Sequence, residues 1–176
     1  MEHLLLIFER LREFGLCINL AKCEFAKSEL QFLGYLVTSL GLKPLPEKVN
    51  VINNYELPGV AKELKRFLAM VNFYRRFIPK AVNNQIHLQK LIKGNEKNDN
   101  TKIEWDAETI NFFNLCKADL AENTLLAYQA RDAELSLCVY ASDFAMGAVL
   151  HQSIDGESLP LGFYSKKFTG GGSKEI

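Results

Sequence analysis

The residues of this sequence that are best suited to binding chemistry are five positively charged residues and one aromatic residue that lies among them. They are Lys62, Lys65, Arg66, Phe73, Arg75 and Arg76. Residues 61–97 hold nine basic residues against two acidic ones, a net charge of +7, although the 176-residue chain as a whole is neutral. A basic block inside a neutral chain indicates a local anionic partner.

The order of residues from 62 to 79 is typical of an amphipathic helix. Four apolar residues recur at the spacing of one helix face: Leu64, Phe67, Leu68 and Val71. At about 100° per residue, Lys62, Arg66 and Phe73 fall on the opposite face. Pro79 is expected to end the helix. Two interpretations stay open: a solvated charged face, or a helix that packs by one side and lies along a phosphate backbone by the other.

Other side chains give little sign of catalysis. The three histidines, His3, His87 and His151, have no acid, base or metal-ligand partner at a useful spacing. Asp143 lies in a strand-like region where an inward carboxylate could hold a divalent ion, but one carboxylate makes a poor Mg²⁺ site. The four cysteines lack Cys-x-x-Cys spacing, and we expect reduced, buried thiols. The sequence therefore predicts no metal site.

The elements that position these residues form an α+β pattern. The predicted helices are 2–14, 46–53, 64–79, 81–93 and the segment after Asp106, and the predicted strands are 29–37, 135–140, 145–150 and 159–164. Gly34, inside the first strand, indicates a bulge or the close approach of another backbone. Ser39–Gly41 and Asp155–Gly156 are predicted turns. Residues 94–100 are polar and form the best linker candidate.

The sequence shows no sign of a membrane partner. No stretch approaches the roughly 18 apolar residues of a membrane span. The apolar residues Leu4 to Phe8 are followed at once by charged ones, so they are neither a span nor a signal peptide. We therefore expect a chain of the cytoplasm or the nucleus.

Several longer motifs resemble those of a known family. Phe32 to Val37, Gly41 to Pro44 and Leu64 to Pro79 resemble the reverse transcriptase of gypsy-type LTR retrotransposons. Ala141 to Leu150 and Pro160 to Lys167 resemble the opening strands of that family's RNase H domain. The resemblance runs from about residue 2 to about residue 168.

The resemblance implies a division into four parts. Residues 1–44 correspond to the C-terminal part of the palm, 45–95 to a helical thumb, 96–132 to a connecting segment and 133–176 to a truncated RNase H-like domain. The implied fold is a partial palm hairpin and a helical thumb, followed by an incomplete RNase H-like β-meander. Four residues match the family's primer-grip hairpin, which holds the primer terminus: Phe32, Leu33, Gly34 and Tyr35.

The thumb helices of the family lie against the template–primer duplex. The resemblance therefore implies that the basic residues between 62 and 76 contact the phosphates of an RNA/DNA template–primer duplex. Such contacts position a nucleic acid without reading its sequence. Arg75 and Arg76 have an alternative role, since either could instead be tied into the fold.

The sequence departs from the family at both catalytic sites. The polymerase carboxylates, including the Tyr-x-Asp-Asp turn, precede the position that corresponds to Met1, so we expect no residue here to hold the Mg²⁺ of the intact family enzyme. The family's RNase H domain begins with Thr-Asp-Ala-Ser, whose Asp is a metal ligand, and this chain has Tyr140 at the ligand position. Asp143 cannot substitute, because three residues along a strand lead to the opposite face, about 10 Å away. We therefore expect no intact catalytic residue and no cofactor.

Three hypotheses for function follow. The first is a catalytically inactive fragment or remnant of a reverse transcriptase/RNase H that still binds template–primer through its basic helix. The second is a part of an active RNA-directed DNA polymerase whose N-terminal palm is missing from the gene model, with the missing Pol segments as partners. The third is a protein-interaction product without nucleic-acid function, because the loss of most of the palm exposes apolar surface.

Overall fold

The computed structural model describes residues 2–92, 99–121 and 125–168. In chain order, the helices and strands are α1 (Glu2–Glu13), β1 (Glu29–Phe32), β2 (Tyr35–Thr38), β3 (Gly41–Pro44), α2 (Pro46–Asn53), α3 (Ala61–Phe73), α4 (Ala81–Gln89), α5 (Ala107–Ala121), β4 (Leu126–Ala127), β5 (Glu134–Ala141), β6 (Ala145–Ile154) and β7 (Glu157–Lys167). Short 3₁₀ helices lie at Leu20–Lys22 and Arg75–Phe77. Helices with antiparallel sheets make the α+β fold that the sequence predicts. None of the helices that the structure describes is long and apolar enough to cross a membrane.

Helix α1 lies on the surface, and none of its side chains is fully buried. Its end is set by Gly15, which has a φ of +67°. There the N–H of Leu16 donates to Leu11 O at 2.9 Å and the N–H of Gly15 donates to Arg12 O at 3.1 Å, which is a Schellman motif. Three apolar side chains of the helix are more than half exposed: Leu5, Leu6 and Ile7. The helix therefore leaves much apolar surface in contact with solvent.

The first sheet has the strand order β1-β2-β3-β4. The sequence predicts a single strand over 29–37, and that prediction is wrong, because the two-residue turn Leu33-Gly34 divides it and Phe32 pairs with Tyr35. Both turn residues have positive φ, +48° at Leu33 and +87° at Gly34, as a type I′ hairpin turn requires. Leucine is uncommon at positive φ, so its presence hides the turn.

The predicted turn at Ser39–Gly41 is confirmed, and it leads into β3. This strand pairs with β2 on one side and with β4 on the other. Gly41 lies so close to β4 that a Cβ atom at this position would stand 2.2 Å from the carbonyl oxygen of Leu126. Only glycine allows this approach of two backbones.

The main core lies between helices α2, α3, α4 and α5. Phe67 of α3 and Phe113 of α5 are fully buried, with ring centroids 4.5 Å apart. Burial of side chains of this size stabilises the fold by about 1.5–3 kcal/mol each. Asp106 caps α5 as predicted: its carboxylate accepts from the N–H of Thr109 at 2.7 Å, and its own N–H donates to Thr109 Oγ1 at 3.1 Å.

Two helices end earlier than the sequence predicts. Helix α3 ends at Phe73 rather than at Pro79, because Tyr74 leaves helical geometry and buries its ring. Helix α4 ends at Gln89. Residues 93–98, which include most of the predicted linker, and residues 169–176 lie outside the described residues.

Strands β5, β6 and β7 form the second sheet, the antiparallel meander that the sequence predicts. Its predicted turn at Asp155–Gly156 is confirmed, with positive φ at both residues. The sequence suggests that Asp143 lies in a strand, and this is wrong, because Asp143 lies in the turn between β5 and β6. This turn forms because the hydroxyl of Ser142 accepts from the N–H of Ala145 at 3.3 Å.

The two faces of the second sheet are covered to different extents. Residues directly opposite each other in neighbouring strands share a face. One face places Phe163 against the main core. The other face leaves five large side chains more than a third exposed: Leu135, Leu137, Val139, Leu150 and Tyr164.

Candidate nucleic-acid interface

A groove of about 670 Å³ lies between the β1–β2 turn and helices α2 and α3. Its lining residues are Leu33, Gly34, Lys48, Val51, Ile52, Arg66, Ala69, Met70, Phe73 and Tyr74. Two of these residues are basic and none is acidic. This surface, called the hairpin groove below, therefore combines apolar walls with positive charge, a combination that favours an anionic ligand.

A stacked ring pair and two hydrogen bonds, one of them from the hydroxyl of Tyr35 to Phe73 O at 3.4 Å, fix the β1–β2 hairpin against the end of α3. The ring of Tyr35 stacks on that of Phe73, with centroids 5.3 Å apart and an angle of 12° between the ring planes. The hydroxyl of Tyr74 donates to Gly34 O at 2.9 Å. A Cβ atom at Gly34 would lie 2.9 Å from the Phe73 ring, so glycine lets the turn approach that ring. One wall of the hairpin groove is therefore preformed.

Tyr74 is the buried anchor of this wall, with only 4% of its surface exposed. Burial, and to a smaller extent the neighbouring Tyr35 and Glu47, raises the pKa of the Tyr74 phenol above its ordinary value. The hydroxyl therefore keeps its proton at neutral pH and continues to donate to Gly34.

Three exposed cations are presented by the two helices of the hairpin groove. Lys62 and Arg66 lie one turn apart on α3, about 6 Å along the helix axis, and Lys48 lies on α2. All three side chains belong to exposed residues. Among the described residues, the structure shows no ion pair for Lys48, Lys62 or Arg66. Their charge is therefore accessible to an external anion.

Two of the other predicted cations have partners within the fold. Lys65 forms an ion pair with Asp99 at 3.9 Å. Arg75 donates to Ser165 O at 3.1 Å, and its guanidinium lies over the ring of Tyr164, 5.7 Å from the centroid. The contacts of Arg75 fit the structural alternative that the sequence leaves open, and its contact with phosphate stays a prediction.

Four of the predicted site residues line the hairpin groove together: Leu33, Gly34, Arg66 and Phe73. Phe32 is 57% exposed at the end of β1, and the guanidinium of Arg76 lies 5.9 Å from the ring centroid of Phe77. Lys48 is a groove residue that the sequence reasoning missed. The available signal was its position one helical turn before the exposed Val51 on α2.

Tyr140, at the predicted RNase H ligand position, lies on β5 with its ring over Gly147 of β6. The ammonium of Lys80 is 5.7 Å from the centroid of that ring. Asp143 is exposed in the following turn. No group of three or more His, Cys, Asp or Glu that could hold a metal ion occurs among the residues in 2–92, 99–121 and 125–168. A phenol beside an ammonium is a poor donor set for Mg²⁺, so these residues do not fit that metal.

Comparison with known proteins finds relatives over nearly the whole chain. Residues 105–174 match the family described as the RNase H-like domain found in reverse transcriptase. The retrovirus-related Pol polyprotein from transposon 412 of Drosophila melanogaster is 35% identical over 175 residues, which are 99% of this chain and 14% of that protein. The transposon Tf2-3 polyprotein of Schizosaccharomyces pombe is 31% identical over 170 residues, which are 96% of this chain and 12% of that protein.

A solved structure agrees with this result. The foamy viral protease-reverse transcriptase in complex with an RNA/DNA hybrid has a TM-score of 0.75 and 26% identity, and the match covers 98% of this chain and 23% of that one. The gypsy-type assignment and the domain bounds remain predictions. This chain spans 14% or less of the length of the two Pol polyproteins compared above. Nearly the whole chain is thus similar in sequence to one segment of retrotransposon Pol polyproteins, and its last third and part of the preceding helix match the family model of the RNase H-like domain found in reverse transcriptase.

Proposed function

We propose that this chain binds an RNA/DNA template–primer duplex in the hairpin groove, and that by itself it catalyses neither polymerisation nor strand cleavage. The observation that carries the proposal is the placement of Lys48 and Arg66 in one apolar groove whose lining contains no carboxylate. The similar solved structures are complexes with double-stranded DNA and with an RNA/DNA hybrid, which supports a duplex as the ligand.

The charge of the hairpin groove acts on the phosphate backbone. Lys48 and Arg66 bind phosphates through charge, and Lys62 extends the positive surface by one turn of α3. Contacts of this kind release counterions from the nucleic acid, so affinity falls steeply with salt. They do not depend on base sequence.

The apolar surface of the hairpin groove acts on the sugars. Phe73 is 50% exposed although one face of its ring stacks on Tyr35, so the rest of its surface remains accessible. Leu33 and Met70 add further apolar surface to the same groove. The wide, shallow minor groove of an A-form-like duplex presents its sugars at the surface, where a preformed wall can recognise their shape.

Inactivity is supported by the surroundings of Tyr140. A two-metal or Mg²⁺-dependent reaction requires carboxylates that converge on the ion. Here a phenol stands at the ligand position that the family resemblance implies, and the ammonium of Lys80 lies 5.7 Å from the centroid of its ring. The one acid nearby in sequence, Asp143, lies in an exposed turn.

The test measures the binding of a fluorescein-labelled RNA/DNA hybrid of about 20 base pairs by fluorescence anisotropy, over the salt range from about 50 to about 200 mM. Arg66→Gln should weaken binding and reduce the slope of log affinity against log salt by about 1, because one phosphate contact is lost. Arg131→Gln is the matched control, since Arg131 is exposed and lies outside the groove.

Binding that does not change with salt, or an equal loss in both variants, would contradict the duplex-binding part of the proposal. The same samples, supplied with Mg²⁺ and deoxynucleotides, test the second part. We expect neither primer extension nor cleavage of the RNA strand. Either product, at a level above that of buffer alone, would show that the chain is an enzyme.

A protein-binding role is the second candidate function. It is favoured by α1, whose apolar side chains Leu5, Leu6 and Ile7 are more than half exposed. Exposed apolar patches of this kind mark interfaces, here with the remaining Pol segments as the expected partner. Light scattering after size exclusion of the chain mixed with those Pol segments provides the test: formation of a complex that Leu6→Glu abolishes would support an apolar interface on α1.

A further inference from the structure

A second cleft, of about 520 Å³, lies between α4, the β5–β6 turn and the end of β7. Six of its lining residues are polar, charged or aromatic: Asn83, His87, Lys90, Ser142, Phe144 and Lys167. None of them lines the hairpin groove. The two sites can therefore be changed independently. We refer to this second site as the α4–β7 cleft.

The α4–β7 cleft is positively charged. Lys90, at the end of α4, and Lys167, the last residue of β7, are both exposed and come from different parts of the fold. The cleft lining contains no carboxylate. In the described part of the chain, neither lysine forms an ion pair. Two ammonium groups converging on one cleft without a carboxylate favour an anionic ligand.

An aromatic ring stands beside this charge. Phe144 is 69% exposed, yet its backbone is fixed from two sides. The hydroxyl of Ser142 accepts from the N–H groups of Phe144 and Ala145 at 3.4 and 3.3 Å. The carbonyl oxygen of Phe144 accepts from the N–H of Phe168 at 2.9 Å, which joins the turn to the strand end that carries Lys167. The phenyl ring is therefore presented to solvent on a defined backbone.

The opposite wall of the α4–β7 cleft is also preformed. The ring of His87 stacks on that of Phe112, with centroids 3.7 Å apart and an angle of 11° between the planes. Asn83, one turn earlier on α4, adds an amide that can both donate and accept a hydrogen bond. A base edge that enters the cleft would find both kinds of partner in this one side chain.

We infer that the α4–β7 cleft binds single-stranded nucleic acid, with one base stacked on Phe144 and the adjoining phosphates bound by Lys90 and Lys167. An exposed aromatic ring next to cations is how proteins bind single strands without reading their sequence. The ligand is a single strand because the bases inside a duplex are stacked on each other, whereas an unpaired base is free to stack on a protein ring. A cleft of about 520 Å³ is in the range that holds a small ligand, such as one nucleotide.

This inference takes its context from the proposed nucleic-acid function but uses other residues. A chain that holds a duplex in the hairpin groove and a single strand in the α4–β7 cleft would suit a nucleic acid that contains a junction between the two. The sites should therefore respond to different variants and different probes.

The test compares two fluorescein-labelled probes by anisotropy: an oligothymidylate of about 12 nucleotides and a blunt RNA/DNA hybrid. Phe144→Ala should weaken binding of the single strand about tenfold and leave binding of the hybrid unchanged. Lys90→Gln and Lys167→Gln should each reduce the salt slope for the single strand by about 0.7. Phe14→Ala and Lys22→Gln are matched controls, since both residues are exposed and Phe14 is 67% exposed.

Phe144→Leu, which keeps an apolar side chain but removes the ring, separates stacking from folding, and thermal melting shows that each variant is folded. The inference is overturned if the wild-type chain does not bind the oligothymidylate, or if Phe144→Ala has no larger effect than Phe14→Ala. Failure of the proposed function gives a different pattern, in which the hybrid is not bound or Arg66→Gln has no effect on it. Each result can occur without the other.

Discussion

The ring of Tyr140 lies across the backbone of Gly147, so closely that a Cβ atom at residue 147 would stand 2.2 Å from Tyr140 Cζ. The two residues are directly opposite each other on β5 and β6. An aromatic ring that covers a glycine on the neighbouring strand protects the backbone there from water and stabilises the pair. The ammonium of Lys80 lies 5.7 Å from the centroid of the same ring. The ring thereby links the second sheet to the residue that precedes α4.

Gly147→Ala should destabilise the chain by about 1 kcal/mol, because the new methyl group displaces the Tyr140 ring from its position beside Lys80. In a Tyr140→Ala background the same substitution should stabilise the chain by about 0.5–1 kcal/mol, since the obstacle is gone and alanine orders the unfolded chain better than glycine. Urea denaturation of the four proteins in this double-mutant cycle provides the measurement. Equal effects of Gly147→Ala in both backgrounds would show that the ring and the glycine are not coupled.

Gly41→Ala should lower the free energy of unfolding by about 3 kcal/mol, which is more than Gly147→Ala. The reason is that its methyl group meets the backbone carbonyl of Leu126 rather than a side chain that can rotate. Gly156→Ala is the control for backbone conformation. Gly156 also has positive φ, at +82°, but nothing lies within 4 Å of its Cβ position. We expect Gly156→Ala to lower the free energy of unfolding by about 1 kcal/mol. Similar losses in the two variants, measured by urea denaturation, would argue against close contact of β3 with β4.

Variants of Arg75 and Arg66 should affect different properties: the Arg75 variant should lower stability, and the Arg66 variant should weaken duplex binding. Arg75→Ala removes a hydrogen bond to Ser165 O and a contact with the Tyr164 ring, so it should lower the free energy of unfolding by about 1–2 kcal/mol. Arg66→Ala should leave stability within about 0.5 kcal/mol of wild type, since Arg66 is exposed, and should weaken duplex binding. Thermal melting and anisotropy on both variants would check this division. A loss of duplex affinity in folded Arg75→Ala equal to that of Arg66→Ala would instead make Arg75 a phosphate contact.

Cys116 should make the fold sensitive to alkali. Burial, and then the charge of Asp119, raises the pKa of its thiol to about 12, whereas a thiol in an unfolded chain titrates near pH 8.5. The folded state keeps this proton to higher pH, so the stabilisation is complete below about pH 8.5 and is lost as the pH rises towards 12. Cys116→Ala should lower stability at pH 7 because it leaves a small cavity, but should flatten the decline between about pH 8.5 and 10.

A thiol-reactive dye provides an independent check on Cys116. The predicted burial is wrong for Cys17 and Cys138, which are exposed, and it is confirmed for Cys116. In the native protein, Cys17 and Cys138 should therefore react at once, whereas Cys116 should react only on unfolding. Rapid labelling of Cys116 under native conditions would contradict its burial.

The parts of the fold that the sequence predicts correctly are those with a strong local pattern. Helix α3 carries its apolar stripe at regular spacing, and all of Leu64, Phe67 and Val71 are buried. The cap at Asp106 and the turn at Asp155–Gly156 use residue types that favour those structures. The resemblance implies a hairpin at Phe32 to Tyr35, but the strand pattern over 29–37 does not reveal its turn. The turn places Leu33 at positive φ, where the surrounding contacts override the preference of the residue.

The candidate site could be predicted only in part, for a physical reason. The charge of Arg66 and the face of α3 on which it lies follow from the sequence of that helix alone. The hairpin groove, however, exists because Tyr74 and Tyr35 hold a distant turn against the end of that helix, and no spacing rule reveals such contacts. Lys48 joins the site for the same reason, from a helix with its own separate pattern.

The late position of strand β4 in the sequence affects how the chain folds during its synthesis. Strands β1, β2 and β3 follow one another directly, but β3 receives its second neighbour only from Leu126–Ala127, beyond all four core helices. During synthesis from the N-terminus, the edge of β3 therefore stays unpaired until those residues leave the ribosome. An unpaired strand edge is a template for association with other chains. The nascent protein should thus be most prone to aggregate during that interval, and a chaperone that covers strand edges should help most at that stage.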